Sequence, residues 1–250
     1  MPPPISVIVI TKDAAAHVEQ ALRSAAWADE CIVVDCGSRD DTVARARALG
    51  ARVDERAWTG YGDQKNHAAS LARHDWVFSL DADEAVTDGL RQAIAALPDA
   101  PDPAAFRMPR VTWYLGRWIR STDWYPDKAV RLYDRRRARW DDRPVHEALV
   151  VQGSVAELGG EIEHRPYADV ADHLARMNHY TTLAAQQMQA QGRKAHAWHL
   201  LVHPPAAFLR NYIARAGFRD GVPGLVVSLL GAVYVLQKYV KLWDRQRHSS

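Results

Sequence analysis

The chain has 250 residues, 48% of them apolar, and a net charge of +2 at neutral pH. That is room for one α/β domain with an appendage, and ample apolar content for a core. Its two cysteines, Cys31 and Cys36, fall on opposite faces of one predicted strand, which excludes a disulfide between them and points to a reducing compartment. The opening Met1-Pro2-Pro3-Pro4 has neither the basic region nor the apolar core of a secretory signal, so none is expected.

In chain order, Ile5-Ser6-Val7-Ile8-Val9-Ile10 reads as a buried strand and runs into Thr11-Lys12-Asp13. A helical pattern follows, with Val18, Leu22 and Ala25 on one face. A second strand, 30–35, leads into Cys36-Gly37-Ser38-Arg39-Asp40-Asp41-Thr42 and a helix over 41–49, with Ser38 or Asp40 as N-cap. Residues 51–53 form a short third strand, 62–73 a helix, and 76–80 an apolar run ending in Asp81-Ala82-Asp83-Glu84. Strand–helix alternation at this spacing predicts a parallel, helix-covered sheet, and its strand ends carry Asp13, Asp35 and Asp81.

Ligands of open α/β sheets bind at the carboxyl ends of the strands. Three carboxylates within four positions there repel one another unless a cation lies between them. Hard oxygen ligands favour Mg²⁺ or Mn²⁺, ions that usually hold substrate phosphates as well. The plainer alternative is a solvated turn leading into a helix that starts near Thr87 or Asp88. No Gly-x-Gly-x-x-Gly follows the first strand and no Gly-Lys-Ser/Thr loop is present, which argues against a dinucleotide oxidoreductase and a P-loop enzyme. Ionised carboxylates only accept hydrogen bonds, so they suit ribose hydroxyls and base N–H groups. The expected ligand is a nucleoside with metal-bound phosphates.

Val7-Ile8-Val9-Ile10-Thr11-Lys12-Asp13, Ile32 to Thr42, Gln64-Lys65-Asn66 and Ser79 to Glu84, in that order, resemble family 2 of the glycosyltransferases, with the GT-A (Rossmann-like) fold. Later segments, Arg131-Leu132-Tyr133, Trp140, Val145-His146-Glu147 and His164 with Tyr167, Asn178 and Tyr180, are similar to the bacterial lipopolysaccharide-core β-1,4-glucosyltransferases. Asp13 stands where that family usually has Asn, and Cys36 where a small or acidic residue is usual. The resemblance implies a metal-dependent, inverting transfer of a sugar, glucose by analogy, from a UDP-sugar to a lipid-linked saccharide of the lipopolysaccharide inner core. It places Thr11, Asp13, Asp35 and Lys65 around the nucleoside diphosphate, Asp81 at the ribose or a metal-bound water, and Asp83 on the metal. His164 would add a metal ligand, as a late His does in some relatives. The alternatives are transfer to a polyprenyl phosphate and a non-catalytic nucleotide-sugar-binding protein.

The Pro-rich run 98–103 separates a nucleotide-sugar half, 1–97, from an acceptor half, 98–192. Trp113, Tyr114, Trp118, Trp124, Tyr125, Tyr133 and Trp140 supply either sugar-packing rings or core. Arg131, Arg135, Arg136, Arg137 and Arg139 form either a solvated face or a site for acceptor phosphates. Inversion needs a base for the acceptor hydroxyl proton. Glu147, on an expected short strand, is the candidate, with Asp141 and Asp142 as neighbours. A long helix over 170–191 presents Leu174, Met177, Thr181, Ala184, Ala185 and Met188 as a core face.

From Arg193 onward nine Lys or Arg stand against two Asp, so the preceding residues carry a net −5. This tail, 193–250, is also apolar, with a run from Val222 to Leu236 that falls short of the roughly 20 residues of a spanning helix. A basic, aromatic-rich amphipathic segment of this kind predicts a peripheral anchor on an anionic membrane surface, here the cytoplasmic face of the cell membrane. A core or dimer helix is the alternative. Nucleic acid is not an expected partner, since the basic residues are interleaved with aliphatics.

Overall fold

The computed structural model describes residues 2–141, 143 and 147–248. In chain order come β1 (Ile5–Thr11), α1 (Val18–Ser24), β2 (Glu30–Asp35), α2 (Thr42–Ala48), β3 (Arg52–Glu55), α3 (Tyr61–Leu71) and β4 (Trp76–Asp81). Then follow β5 (Glu84–Val86), α4 (Asp88–Ala95), β6 (Ala105–Tyr114), β7 (Arg117–Ile119), β8 (Asp127–Asp134), β9 (Ala138–Trp140), β10 (Leu149–Val151), β11 (Val155–Glu157) and β12 (Ile162–His164). Three helices close the chain: α5 (Val170–Ala190), α6 (Ala197–Leu209) and α7 (Gly221–His248). Two compact units emerge, one of residues up to Arg110 with Lys128–His164, the other of Val111–Asp127 with the chain from Arg165 on.

The first unit is built on a mixed sheet with strand order β3-β2-β1-β4-β8-β6-β12-β5. β1 pairs in parallel with β2 and β4, aligning Val9 with Val33 on one side and Leu80 on the other. Both faces of β1 are covered. Val7 and Val9 join Val18, Ala21 and Leu22 in one core, while Ile8 packs with Ala68 and Ala69 of α3 in another. That is why the run reads as continuous apolar sequence rather than as alternation. β8 then adds antiparallel to β4, setting Leu132 opposite Phe78.

Two local details differ from the sequence reading. The N-cap of α2 is Asp41, whose side chain makes no capping bond; the Asp40 carboxylate accepts from the Thr42 N–H at 3.0 Å instead. The acidic segment after β4 enters the short strand β5 at Glu84, paired antiparallel with β12, before α4 begins. Thr87 caps α4, accepting from the Leu90 N–H at 3.3 Å, and donates to the Glu161 carbonyl at 2.7 Å. The turn before β12 is thereby fixed to the start of α4. Gly160 in that turn has φ +84°, and a Cβ there would lie 2.2 Å from the Leu90 nitrogen, so only glycine fits.

In the second unit α5 buries His173, Met177, Thr181, Ala185 and Met188. Leu174, expected on this face, is exposed instead. Met177, Thr181, Ala185 and Met188 are buried as expected, and only at the first turn does His173 take the place of Leu174, its Nδ1 meeting the Tyr114 hydroxyl at 2.8 Å and its ring stacking on Tyr167 at 4.3 Å. α7 packs through Tyr239 and Leu242 against Ala185, Met188 and Ala195. It is longer than the apolar run suggests: together with the 3-10 turn before it, the stretch 217–248 is long and apolar enough, by length and composition, to cross a membrane, and most of its apolar part is not buried. The run extends because isolated Lys238 and Lys241 are followed by further apolar residues, Tyr239, Val240, Leu242 and Trp243.

Replacing Thr87 with Ala removes the cap of α4 and the bond to Glu161 together. Urea denaturation should show a loss of about 1–2 kcal/mol.

Candidate active site

Thr11 and Asp35 end adjacent parallel strands, and the Thr11 hydroxyl donates to Asp35 Oδ2 at 2.8 Å. Asp35 is buried, and its oxygens also accept from the Gly37 and Ser38 N–H groups at 2.9 and 2.8 Å and from the Ser38 hydroxyl at 2.5 Å. Its carboxylate therefore holds the loop after β2 in shape. Asp13 sits at φ +48°, a left-handed conformation that Asp tolerates better than most residues. Its Oδ1 accepts from the Arg39 N–H at 2.7 Å, and its own N–H donates to Ser38 Oγ at 2.8 Å. The loops after β1 and β2 are thus cross-tied.

The end of β4 is a network of alternating charge. Asp81 Oδ2 lies 2.6 Å from Arg131 of β8, and the same guanidinium nitrogen lies 2.6 Å from Glu84 Oε1. Arg110 reaches Glu84 Oε1 at 3.0 Å, and Glu84 Oε2 accepts from the Asp81 N–H at 3.0 Å. On its other side Asp81 Oδ1 lies 3.3 Å from Lys65 Nζ, which pairs with Glu147 Oε1 at 2.8 Å and rests 4.4 Å from the Trp140 ring centre. Burial alone would raise the Asp81 carboxyl; Arg131 and then Lys65 outweigh it and hold the group well below the usual carboxylate range. The Arg131 Nε is buried with no partner, and both carboxylates are met by the one terminal nitrogen Nη2.

Asp83 points away from this network. Its Oδ2 lies 3.5 Å from His164 Nε2, brought there because β12, which ends at His164, pairs with β5. Burial pushes the Asp83 carboxyl up, and the contact with His164 outweighs it, leaving the group below its ordinary value. Among the described residues no group of three or more His, Cys, Asp or Glu is arranged to hold a metal, so a cation here would have two protein ligands and need others from its substrate. Asp83 also borders a cavity of about 410 Å³ lined by Thr11, Lys12, Asp13, Cys36, Trp58 and Tyr61 among others.

The structure brings the expected site residues into three groups: Thr11, Asp13 and Asp35; Lys65, Asp81 and Glu147; Asp83 and His164. It corrects the reading of the acidic cluster, because the cation between Asp81 and Glu84 is the Arg131 guanidinium, and Glu84 is fully enclosed by its pairs. Arg131 accordingly belongs neither to a solvated face nor to a phosphate site. The Asp141 carboxylate is engaged, accepting from the Ala148 N–H at 3.0 Å and from Arg143 Nε at 2.5 Å. Asp142, Val145 and His146 lie outside the described residues. Of the aromatic residues, Tyr114, Tyr133 and Trp140 are core, whereas Trp113, Trp118 and Trp124 are half-buried. Sequence reasoning passed over Trp58 and Tyr61, which meet edge to face at 4.7 Å on the cavity wall while half-exposed. Their one signal is a pair of aromatics flanking Gly60 at the start of α3.

This arrangement, acids and a lysine gathered at the carboxyl ends of parallel strands, suits a nucleotide-sugar transferase. A family model described as "Glycosyl transferase family 2" matches residues 6–157, and the chain belongs to that family. It is a glycosyltransferase of α/β, GT-A type. The chain is similar to the lipopolysaccharide core biosynthesis glycosyltransferase LpsC of Rhizobium meliloti (strain 1021), 29% identical, over 97% of this chain and 93% of the relative. It is 30% identical to the uncharacterized glycosyltransferase RT0209 of Rickettsia typhi (strain ATCC VR-144 / Wilmington), over 95% and 86% of the two chains. Among solved structures, S. aureus TarS overlaps 46% of this chain and 22% of its own, at 25% identity and a TM-score of 0.39.

Arg131→Met removes the buried cation that Asp81 and Glu84 share, leaving Glu84 to Arg110 and Asp81 to Lys65 alone. Equilibrium unfolding should show a loss of about 3–5 kcal/mol, far more than for the exposed Arg39→Met.

Proposed function

We propose that the protein transfers glucose from a UDP-sugar, with inversion, to a lipid-linked inner-core saccharide of lipopolysaccharide, in the presence of Mg²⁺ or Mn²⁺. The observation that carries this reading is the end of β4, where Lys65 links Asp81 to Glu147 and Asp83 faces His164. The resemblance to LpsC over nearly the whole chain supports the acceptor class. The division of labour is a donor half, 1–97, an acceptor half, 98–192, and a basic tail, 193–250.

One carboxylate oxygen and one imidazole nitrogen are suitable donors for Mn²⁺ or Mg²⁺ beside a diphosphate, and Asp83 and His164 would hold the ion. When bound, it offsets charge on the departing nucleoside diphosphate. Thr11 and Asp13 line the donor cavity, while Asp35 keeps their loops in register. Asp81, partly exposed, would reach the ribose or a water on the ion, and Lys65 holds Asp81 and Glu147 in place. Glu147 takes the proton of the acceptor hydroxyl as that oxygen attacks the anomeric carbon.

Asp83→Ala should keep the fold and lower turnover at least about 100-fold, and EDTA should act likewise. Full activity in either case overturns the metal assignment. Glu147→Gln should leave UDP affinity unchanged and reduce the catalytic rate by roughly 100- to 10,000-fold. A near-normal rate in Glu147→Gln with loss in Asp142→Asn moves the base to Asp142.

The tail suits a membrane surface. Val222, Leu229, Val233, Leu236, Val240 and Trp243 recur at helical spacing on an exposed face of α7, and Trp198, Leu201, Val202 and Leu209 are exposed on α6. Arg210, Arg215, Arg219, Lys238 and Arg247 accompany them. α7 is nonetheless bonded along its second half to the polar helix α5: Lys241 Nζ reaches Asn178 Oδ1, Thr181 Oγ1 and Thr182 Oγ1 at 2.7–2.8 Å, and Arg245 Nε reaches Gln189 Oε1 at 2.6 Å. Carrying these groups into hydrocarbon is expensive, so α7 lies in the interface rather than across it. The protein should sediment with anionic vesicles and be partly released by high salt. Release by detergent alone would mean a spanning helix; a soluble dimer that ignores vesicles would mean that the face is a contact between copies.

A further inference from the structure

The Arg165 guanidinium lies 4.9 Å from the ring centre of Trp113 and 4.9 Å from that of Trp118. These indoles are a cross-strand pair of the β6–β7 hairpin, 5.1 Å apart at 67°. The hairpin closes through Leu115 and Gly116, both at positive φ, a tight turn that fixes the register of the two rings. Arg165 Nε is buried without a hydrogen-bond partner, and among the described residues no carboxylate pairs with this side chain. Arg131, Arg135 and Arg136, by contrast, all have carboxylate partners. Indole faces attract a cation but supply no lone pairs in the plane of its N–H groups. The cation is permanent, and its planar fork matches phosphate and carboxylate oxygens.

Two facts of sequence bear on what it would meet. Arg165 directly follows His164, the proposed metal ligand. It also lies outside 6–157, the part matched by the family model, and thus outside the shared donor motifs. We propose that Arg165, held by Trp113 and Trp118, binds an anionic substituent of the acceptor saccharide, a phosphate or a carboxylate, while the indoles offer their faces to the sugar ring. The word acceptor rests on the function proposed above; the capture of an oxyanion does not.

The test is a titration of the full chain followed through its arginine Nε–H resonances, with Arg165→Lys used to assign the Arg165 signal. The probes are methyl phosphate, methyl glucuronide, neutral methyl glucoside and UDP. The expected result is a saturable shift of the Arg165 resonance with one or both anionic probes and none with the glucoside. The affinity, read by tryptophan fluorescence, should fall at least tenfold in Arg165→Lys, which keeps the charge but loses the fork. No saturable shift with either anion overturns the proposal, as does equal affinity in a folded Arg165→Lys. If that variant does not fold, the comparison of anionic with neutral sugar in the wild type decides alone. A shift of this resonance by UDP at lower concentration than by either anion would assign Arg165 to the donor and overturn the acceptor role. Because no turnover is read, failure here is separate from failure of the proposed transfer reaction.

Discussion

A buried guanidinium, Arg131, is the constraint on which the end of β4 depends. A carboxylate removed from water is unfavourable unless matched, and Asp81 and Glu84 stand three positions apart. Arg131 bridges them from the antiparallel neighbour β8, and Arg110 of β6 reaches Glu84 as well. With Lys65 and Glu147 added, three carboxylates meet three cations. Asp83 is left outside this balanced set, opposite the imidazole of His164. The network also explains why β8 must run antiparallel to β4 with little slack: a slip of one residue would turn Arg131 to the other face of the sheet.

Much of this was legible in the chain because it is local. Continuous apolar runs marked β1, β2 and β4, and an acid at the end of each marked the ligand edge. The helix over 170–191 and the candidate pair of Asp83 and His164 were also within reach, the latter through family resemblance rather than spacing. What was hidden depends on partners distant in sequence. Arg131 is fifty residues from Asp81 and stands near four other arginines, so composition suggested a solvated or phosphate-binding run. Glu84 looked like a ligand because nothing in the chain order reveals which carboxylates will be enclosed. The burial of His173 in place of Leu174 at the start of α5 goes with a tyrosine hydroxyl 59 positions away.

The tail shows the same limit in another form. Hydropathy registered an apolar run and its basic flanks; the run and the basic residues after it lie on α7, and those before it, Arg210, Arg215 and Arg219, between α6 and α7. Periodicity could not say that Lys241 and Arg245, which look like interfacial cations, are tied to α5 instead. A charge count thus overstates how many basic groups of the tail are available to a surface.

The turn between β11 and β12 shows how a distant position bears on the proposed metal pair of Asp83 and His164. Gly160 is in contact with the first turn of α4, and Thr87 grips the next peptide. Four residues beyond Gly160 is His164, whose approach to Asp83 depends on the pairing of β12 with β5. A side chain at position 160 would lift this turn and press on Leu90, which shares one core with Ile162 of β12 and with Val7, Val9, Phe78 and Leu80. In genetic terms Gly160 is a site for conditional alleles: a substitution there would give a protein that accumulates normally at low temperature yet fails on warming, because the strand that carries the histidine shares its core with the centre of the sheet.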